Sequence, residues 1–376
     1  MMTDEIRAGF GRLLAGIAGE LDLPPSKRED VENKYKAVAD WLGKPESALA
    51  RYEPEIYPHG SFQLRTVVRP LGHDEFDLDF VCRLNIAAQP GNQSDIKKMV
   101  GDRLRENGTY RSNRMIREKN RCWRLNYAGD FHMDIMPAVP DISRADDGIL
   151  VSDRDLASWV PSAPRPFARW FDQQQVPFRQ KYRSVFNASV EELPDQQIKT
   201  PLQVSVQILK RHRDKHFQGQ PKLRPSSIVL TTLAAKAYGQ QDDLLDALRA
   251  IVTGMPHQVD LSADGVPVVL NPTNPNENFA EKWQEHPERL GAFRAWLVKA
   301  SQDLDELLEL RGLDQIGEFL ADRLGQREAN AVLRAEGQAI SDAHQQHRLE
   351  VTAVTGPMIV GKPREPVRPS TSYGTR

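Results

Sequence analysis

The chain has 376 residues, of which 39% are hydrophobic and 27% charged, and a formal net charge of −2. That length accommodates two sizeable domains, while the balanced charge argues against a surface built to coat nucleic acid. Only Cys82 and Cys122 are present, which excludes a disulfide framework, and no apolar run approaches the roughly 20 residues needed to span a bilayer.

The opening MMTDEIRAGF lacks the basic, apolar and small-residue order of a signal peptide, so a cytoplasmic protein is expected. Ile6, Phe10, Leu13, Leu14 and Ile17 recur at three- and four-residue spacings, which predicts an amphipathic helix over residues 4–20, ended by Leu23-Pro24-Pro25. A second helix is expected from Ser26 to Gly43, with Val31, Tyr35, Val38 and Leu42 on one side.

The stretch GSFQLRTVVRPLGHDEFDLD, from Gly60 to Asp79, is where chemistry first shows. Read as a strand, EFDLDFV sets Asp77 and Asp79 on one face, with Leu78 and Phe80 on the other. Two carboxylates so close repel each other and favour a hard cation between them; Mg²⁺ prefers carboxylate oxygens together with substrate phosphates. Upstream, Gly60 lets a backbone approach a phosphate, and Ser61 offers a hydroxyl and an N–H at the start of a short helix. Alone, a Gly-Ser pair is more often a plain turn, and an Asp-x-Asp more often a solvated strand edge.

Residues 95–107 predict a helix ending before Gly108. Arg111, Arg114, Arg117, Lys119, Arg121 and Arg124 then crowd into two strand-like segments opposed by Glu118 alone. Such a run is usually a solvated face, with a phosphate path or a nucleic-acid contact as the alternative. In FHMDIMPAV, Phe131, Met133 and Ile135 alternate with His132, Asp134 and Met136, which puts Asp134 on the polar side of a strand. Beside the first strand, it would make a third carboxylate, and three can hold two Mg²⁺ ions for phosphoryl displacement.

The prolines from Pro161 to Pro166 mark the passage into a mostly helical half. Thr200-Pro201-Leu202-Gln203 reads as a capping box with Pro at the first helical position, after which Leu202, Val206 and Leu209 point inward. Ser226 or Ser227 caps the next helix, which closes at Gly239. NPTNPNEN, residues 271–278, predicts a turn-dense loop with Asn278 capping the helix after it. Residues 327–349 form a polar helix, and the Pro/Gly-rich tail from Val351 onward is expected to be mobile and to serve as a partner handle or plain end.

Taken together, Gly60-Ser61, Asp77-x-Asp79 and Asp134 resemble the active-site signature of the polymerase-β-like nucleotidyltransferases. With YPHGSFQLRTVVRP, DEFDLDFVCRL, VQILKRHRDKHF, PSSIVLTTLAAKAY and NPTNPNENFAEKW, the chain looks like the bacterial cyclic-oligonucleotide synthases of antiphage signalling, over roughly residues 30–300. One departure is Arg65, where many relatives carry glycine. The resemblance implies an α/β core over residues 1–160, a helical lobe over 161–349, a flexible tail over 350–376, and a catalytic cleft between core and lobe. It implies that the second helix braces both lobes, and that Gly60, Ser61, Gln63, Lys210, Arg213, Ser226 and Ser227 bind nucleotide, Lys210 at the donor triphosphate. Asp77, Asp79 and Asp134 would be catalytic and hold two Mg²⁺, or Mn²⁺. The implied product is a cyclic di- or trinucleotide built from ATP, with or without a second nucleoside triphosphate, and accessory or effector proteins are implied as partners. The competing readings are a linear oligoadenylate maker, an enzyme modifying protein or RNA ends, and a non-catalytic nucleotide sensor.

Overall fold

A computed structural model describes residues 4–72, 75–112, 115–127, 131–155, 157–186, 199–346, 349–350 and 359–360. Seven strands make one mixed sheet: β1 (Glu55–His59), β2 (Phe76–Arg83), β3 (Ile116–Glu118), β4 (Trp123–Tyr127), β5 (Phe131–Pro140), β6 (Ile149–Asp153) and β7 (Ser158–Ser162). The path runs β1-β2-β5-β4-β3, with β6 on β5 and β7 on β6. β2 and β5 pair in parallel, and every other neighbouring pair in this sheet is antiparallel. The alternation read in β2 and β5 holds: Phe76, Leu78, Phe80, Phe131, Met133 and Ile135 are buried, which turns the acidic positions to the other face.

The helices are α1 (Asp4–Leu21), α2 (Pro25–Gly43), α3 (Gly60–Gln63), α4 (Gln93–Glu106), α5 (Gly108–Ser112), α6 (Pro164–Gln173), α7 (Val176–Phe186), α8 (Pro201–His216), α9 (Ser227–Ala237), α10 (Leu244–Gly254), α11 (Lys282–Glu285), α12 (Glu288–Glu309), α13 (Leu313–Leu324) and α14 (Gln326–Gln345). Two apolar clusters divide them. Val31, Val38 and Leu42 of α2 and Ile96, Val100 and Leu104 of α4 pack on the sheet. The second cluster joins α6, α8–α10 and α12–α14, and it also takes in α1 through Ile6, Phe10, Leu13, Leu14, Ile17 and Leu21. The first helix of the chain thus belongs by packing to the helical half, and α2 turns its apolar side to the sheet alone.

Three local expectations change. Gly108 opens α5 instead of only ending a helix, so Arg111 is helical and lies apart from the strand-like arginines. NPTNPNEN forms a hairpin, β10 (Leu270–Asn271) against β11 (Asn274–Asn278), preceded by the small pair β8 (Asp260–Leu261) and β9 (Pro267–Val268). Its asparagines replace missing strand partners: Asn271 Oδ1 accepts from Thr273 N and Asn274 Oδ1 from Asn276 N. Asn278 accepts from Val269 N and Ala280 N, whereas the N-cap of α11 is Glu281. The tail lies outside the described residues except where β13 (Ile359–Val360) pairs antiparallel with β12 (Leu349–Glu350). Among the described residues, no helix is long and apolar enough to cross a membrane.

Candidate active site

A cleft of about 810 Å³ opens between the sheet and the helical half. Its wall from the sheet side carries Asp77, Asp79, Arg121, Arg124 and His132; α8, α9 and the β10–β11 hairpin supply Lys210, Arg213, Ser226, Ser227, Asn271 and Glu277. Gly60, Ser61 and Gln63 line it at the end of β1.

Gly60 makes the first junction. Its φ is +60°, and a Cβ built there would stand 2.7 Å from Asp79 Oδ2. Only a glycine lets the Asp79 carboxylate lie against this turn, because both the backbone angle and the space exclude a side chain. The turn closes through Leu64 N to Gly60 O and Thr66 N to Ser61 O. Arg65 adopts φ +59° within it, a conformation that favours glycine, and the turn keeps its hydrogen bonds with arginine in the left-handed region.

Strand register makes the second junction. Asp79 pairs with Asp134 across the parallel β2–β5 ladder, Asp134 with Arg124 across β5–β4, and Asp79 with His59 across β1–β2. Arg124 donates from Nε to Asp134 Oδ1 and from Nη2 to Asp134 Oδ2, both at 2.7 Å, and its Nη2 also lies 2.9 Å from Asp77 Oδ1. Among the described residues, no hydrogen bond reaches the Asp79 carboxylate; burial, with Asp134 and Asp77 as like charges, pushes its pKa up to about 7. Burial also holds His59 down to about 4, so it is neutral at pH 7, and pushes Cys122, beside Asp134, well above the usual thiol range.

α8 joins the turn to the helical half. The capping box expected at Thr200 and Gln203 is formed. Gln203, Gln207 and Lys210 lie four and three residues apart, hence on one helix face, and each donates to the segment after the turn. Gln203 Nε2 reaches Leu64 O at 3.0 Å, Gln207 Nε2 reaches Val67 O at 2.6 Å, and Lys210 Nζ reaches both Thr66 O and Thr66 Oγ1 at 3.0 Å. Lys210 is only 4% exposed, so it is no solvated basic face. Burial, with Arg213 nearby, lowers its pKa to about 7.

The two serines separate cleanly. Ser226 caps α9, accepting from Val229 N, while Ser227 Oγ accepts from Arg213 Nη1 at 3.1 Å. Ser227 is therefore not wholly free for a ligand; its own hydroxyl proton remains to be donated. Arg213 is also fixed by Asp214 and by Pro225 O. Of the basic run, Arg121 and Arg124 face the cleft, Arg117 is exposed on β3, and Arg114 lies outside the described residues.

The residues missed in sequence were Arg124 as the partner of two catalytic candidates, Thr66 as the anchor of Lys210, and Glu277, held by Ser162 Oγ and Asn271 Nδ2. Arg124 had a signal: in WRLNY, Trp123 and Leu125 are buried, so Arg124 shares the face of Asp134. Thr66 and Glu277 had none, since each depends on a tertiary neighbour.

Asp77 and Asp79 fit a divalent cation: both are hard oxygen donors on one strand face, Asp79 lacks a compensating hydrogen bond, and the Gly60 cradle leaves its carboxylate open. Asp134 does not yet join them. Among the described residues, no three His, Cys, Asp or Glu side chains are gathered into a metal cage, and Arg124 holds both oxygens of Asp134.

Residues 14–175 match the family described as Second Messenger Oligonucleotide or Dinucleotide Synthetase domain. The chain is 29% identical, over 100% of both sequences, to a c-di-GMP synthase of Roseivirga ehrenbergii. It is 26% identical to the cyclic dinucleotide synthase CdnG of Bradyrhizobium diazoefficiens, over 73% of this chain and 70% of that protein. The structure of that CdnG in complex with GTP aligns with a TM-score of 0.73 at 22% identity, covering 88% of this chain and 100% of the other. An E. coli CdnC with ATP aligns with a TM-score of 0.63 at 16% identity, covering 83% and 96%. The mixed sheet with its helical C-terminal half is the polymerase-β-like fold of these enzymes.

Proposed function

We propose that this chain is a nucleotidyltransferase of the bacterial CD-NTase kind, a cyclic dinucleotide synthase that uses GTP for at least one of its two nucleotides and requires Mg²⁺. The observation that supports the chemistry is the register of β2 against β5, which sets Asp79 beside Asp134 on the face that carries Asp77, with Asp77 and Asp79 lining the cleft and Asp134 behind Arg124. The choice of GTP is supported by the full-length relative that makes c-di-GMP and by CdnG with GTP. ATP, the nucleotide that the family resemblance implies, is the candidate for the second position.

In this reading, Asp77 and Asp79 hold the ion that accompanies the donor triphosphate, and Asp134 joins them for a second. Such ions would supply charge neutralisation for the triphosphate and added acidity for an acceptor ribose hydroxyl. Gly60 and Ser61 present the backbone and hydroxyl to the phosphates, with Gln63 at the rim. Lys210, already fixed by Thr66, has one ammonium proton left for the departing pyrophosphate; an arriving polyanion favours the charged amine and raises its pKa again. Arg213, Ser226 and Ser227 form the α9 side of the same pocket. The product would act as a second messenger in antiphage signalling.

Purified protein incubated with the four ribonucleoside triphosphates and Mg²⁺ or Mn²⁺, then treated with phosphatase, tests this directly by mass spectrometry. A phosphatase-resistant mass of a cyclic dinucleotide containing guanosine is expected. A linear, phosphatase-sensitive oligoadenylate, or no product, would overturn the reading.

A further inference from the structure

The same arginine that holds Asp134 also reaches Asp77, and it lines the cleft whereas Asp134 does not. Its side chain is 17% exposed, against 16% for Asp134 and 62% for Asp77, so the guanidinium lies between a partly buried carboxylate and an exposed one. A two-pronged Arg–carboxylate contact is planar and directional, and it occupies both oxygens that a metal would use. The neighbouring strands leave Arg124 no need to move to make it, because cross-strand pairing already sets it opposite Asp134.

We propose that Arg124 is a positioning residue that acts as a latch on the catalytic carboxylates: it reserves Asp134 in the nucleotide-free enzyme and releases it when the substrate's phosphates enter the cleft. This rests on the reading of Asp77, Asp79 and Asp134 as metal ligands. The exchange balances electrostatically. The guanidinium leaves two carboxylates for phosphate oxygens, which it also binds in a forked geometry, and the vacated carboxylate oxygens take a divalent ion. One ion can therefore bind through Asp79 and the exposed Asp77 before substrate, while the second waits for it. An enzyme arranged in this way does not assemble its complete metal site around water alone.

Mn²⁺ binding to the full chain, followed by electron paramagnetic resonance and calorimetry with and without a non-hydrolysable nucleoside triphosphate, separates the outcomes. Wild type is expected to bind one ion without nucleotide and two with it. Arg124→Met should bind two ions without nucleotide, the second about tenfold tighter than in wild type, from the loss of a charged hydrogen-bonded pair. Arg124→Lys keeps the charge but loses the fork; it should behave like Arg124→Met if the fork is the latch, and a return to wild-type stoichiometry in Arg124→Lys would reduce the effect to charge alone and overturn the proposal. Unchanged stoichiometry and affinity in both variants would overturn it as well. Should Arg124→Met fail to fold without metal, Arg124→Lys still decides. Asp79→Asn and Asp77→Asn serve as the separate control: if they leave Mn²⁺ binding intact, the metal reading itself fails, whatever Arg124 does.

Discussion

Asp303 and Asp79 are both carboxylates drawn into the protein, and they are treated in opposite ways. Asp303, on α12, is 4% exposed and meets His212 Nε2 at 2.9 Å, Lys299 Nζ at 2.7 Å and Arg323 Nε at 3.0 Å. Trp296 Nε1 donates to His212 Nδ1, which fixes the imidazole proton on Nε2, facing Asp303. These donors outweigh the burial and hold Asp303 well below the usual carboxylate range. Asp79 has no hydrogen-bond donor among the described residues; burial and the charges of Asp134 and Asp77 outweigh Arg124 and Lys210, and its pKa rises to about 7. A fold that gives one acid two hydrogen bonds and an ion pair and leaves the other without a hydrogen bond among the described residues gives up stability at the second, as a ligand site does.

Replacement should expose this difference. Asp79→Asn, or Asp77→Asn, is expected to lower cyclic-product formation by about 10³-fold or more, through lost charge stabilisation in the transition state. The melting temperature without metal should hold or rise, because a like charge is removed from Asp134. Near wild-type turnover in either variant would remove Asp77 and Asp79 from the mechanism. Asp303→Ala does the reverse. It strands Lys299, Arg323 and His212 and should cost about 3–5 kcal/mol in denaturant unfolding, with KM for nucleotide unchanged in whatever protein remains folded. A loss under 1 kcal/mol would show that the network contributes little.

The same contrast explains what could be read from the chain. Period-two alternation carried the sheet, because Phe76, Leu78 and Phe80 have nowhere to go except a core, and the carboxylates follow by parity. The capping box at Thr200 was visible because its partners are three residues apart. Invisible were features set by distant partners: α1 packing with the helical half, Asn278 serving Val269 instead of the following helix, and Lys210 hydrogen-bonded across 144 residues to Thr66. Arg124 lay between these cases, with a readable face and an unreadable partner.

A third test uses pH. Unfolded, Asp79 titrates near 3.8, and folded near 7. Between these values the folded chain keeps a proton that the unfolded chain has released, so metal-free stability falls as pH rises from about 4 to about 7 and the penalty is constant above. Lys210 acts in the next window: its folded value near 7 against 10.5 unfolded means that the unfolded chain binds the extra proton, so stability recovers as pH rises from 7 towards 10.5. His59 opposes Asp79 below pH 6.5, since its proton is lost on folding. The comparison to make is therefore wild type minus Asp79→Asn, measured in chelator. The difference should open between pH 4 and 7, reach on the order of 3 kcal/mol, and close when Mg²⁺ is added. A difference independent of pH would mean that Asp79 is already compensated.

The smallest effect concerns Arg65, in the turn that follows Gly60. Its backbone is left-handed at φ +59°, and the turn is closed on either side by Arg65 N to Phe62 O at 3.2 Å and Thr66 N to Ser61 O at 2.9 Å. A side chain in that conformation costs about 1 kcal/mol relative to glycine. Burial and the like charges of Arg179 and Arg28 also press on the guanidinium, lowering its pKa, with Asp22 and Asp172 acting in the other sense. Arg65→Gly relieves the backbone and the repulsion, loses the attraction to the two aspartates, and frees the unfolded chain by a similar amount. These contributions nearly cancel, so stability should change by less than about 1 kcal/mol. Arg65→Val keeps the backbone cost, adds a branched Cβ to a left-handed residue, and loses the aspartates too; it should be less stable than wild type by about 2 kcal/mol. Denaturant midpoints for the series would then run glycine close to arginine and valine below both. Because the turn keeps its hydrogen bonds in either case, kcat/KM for Arg65→Gly should stay within about threefold of wild type, equivalent to less than the free energy of one hydrogen bond. A tenfold loss in a glycine variant of normal stability would instead place the guanidinium itself in the path of the substrate.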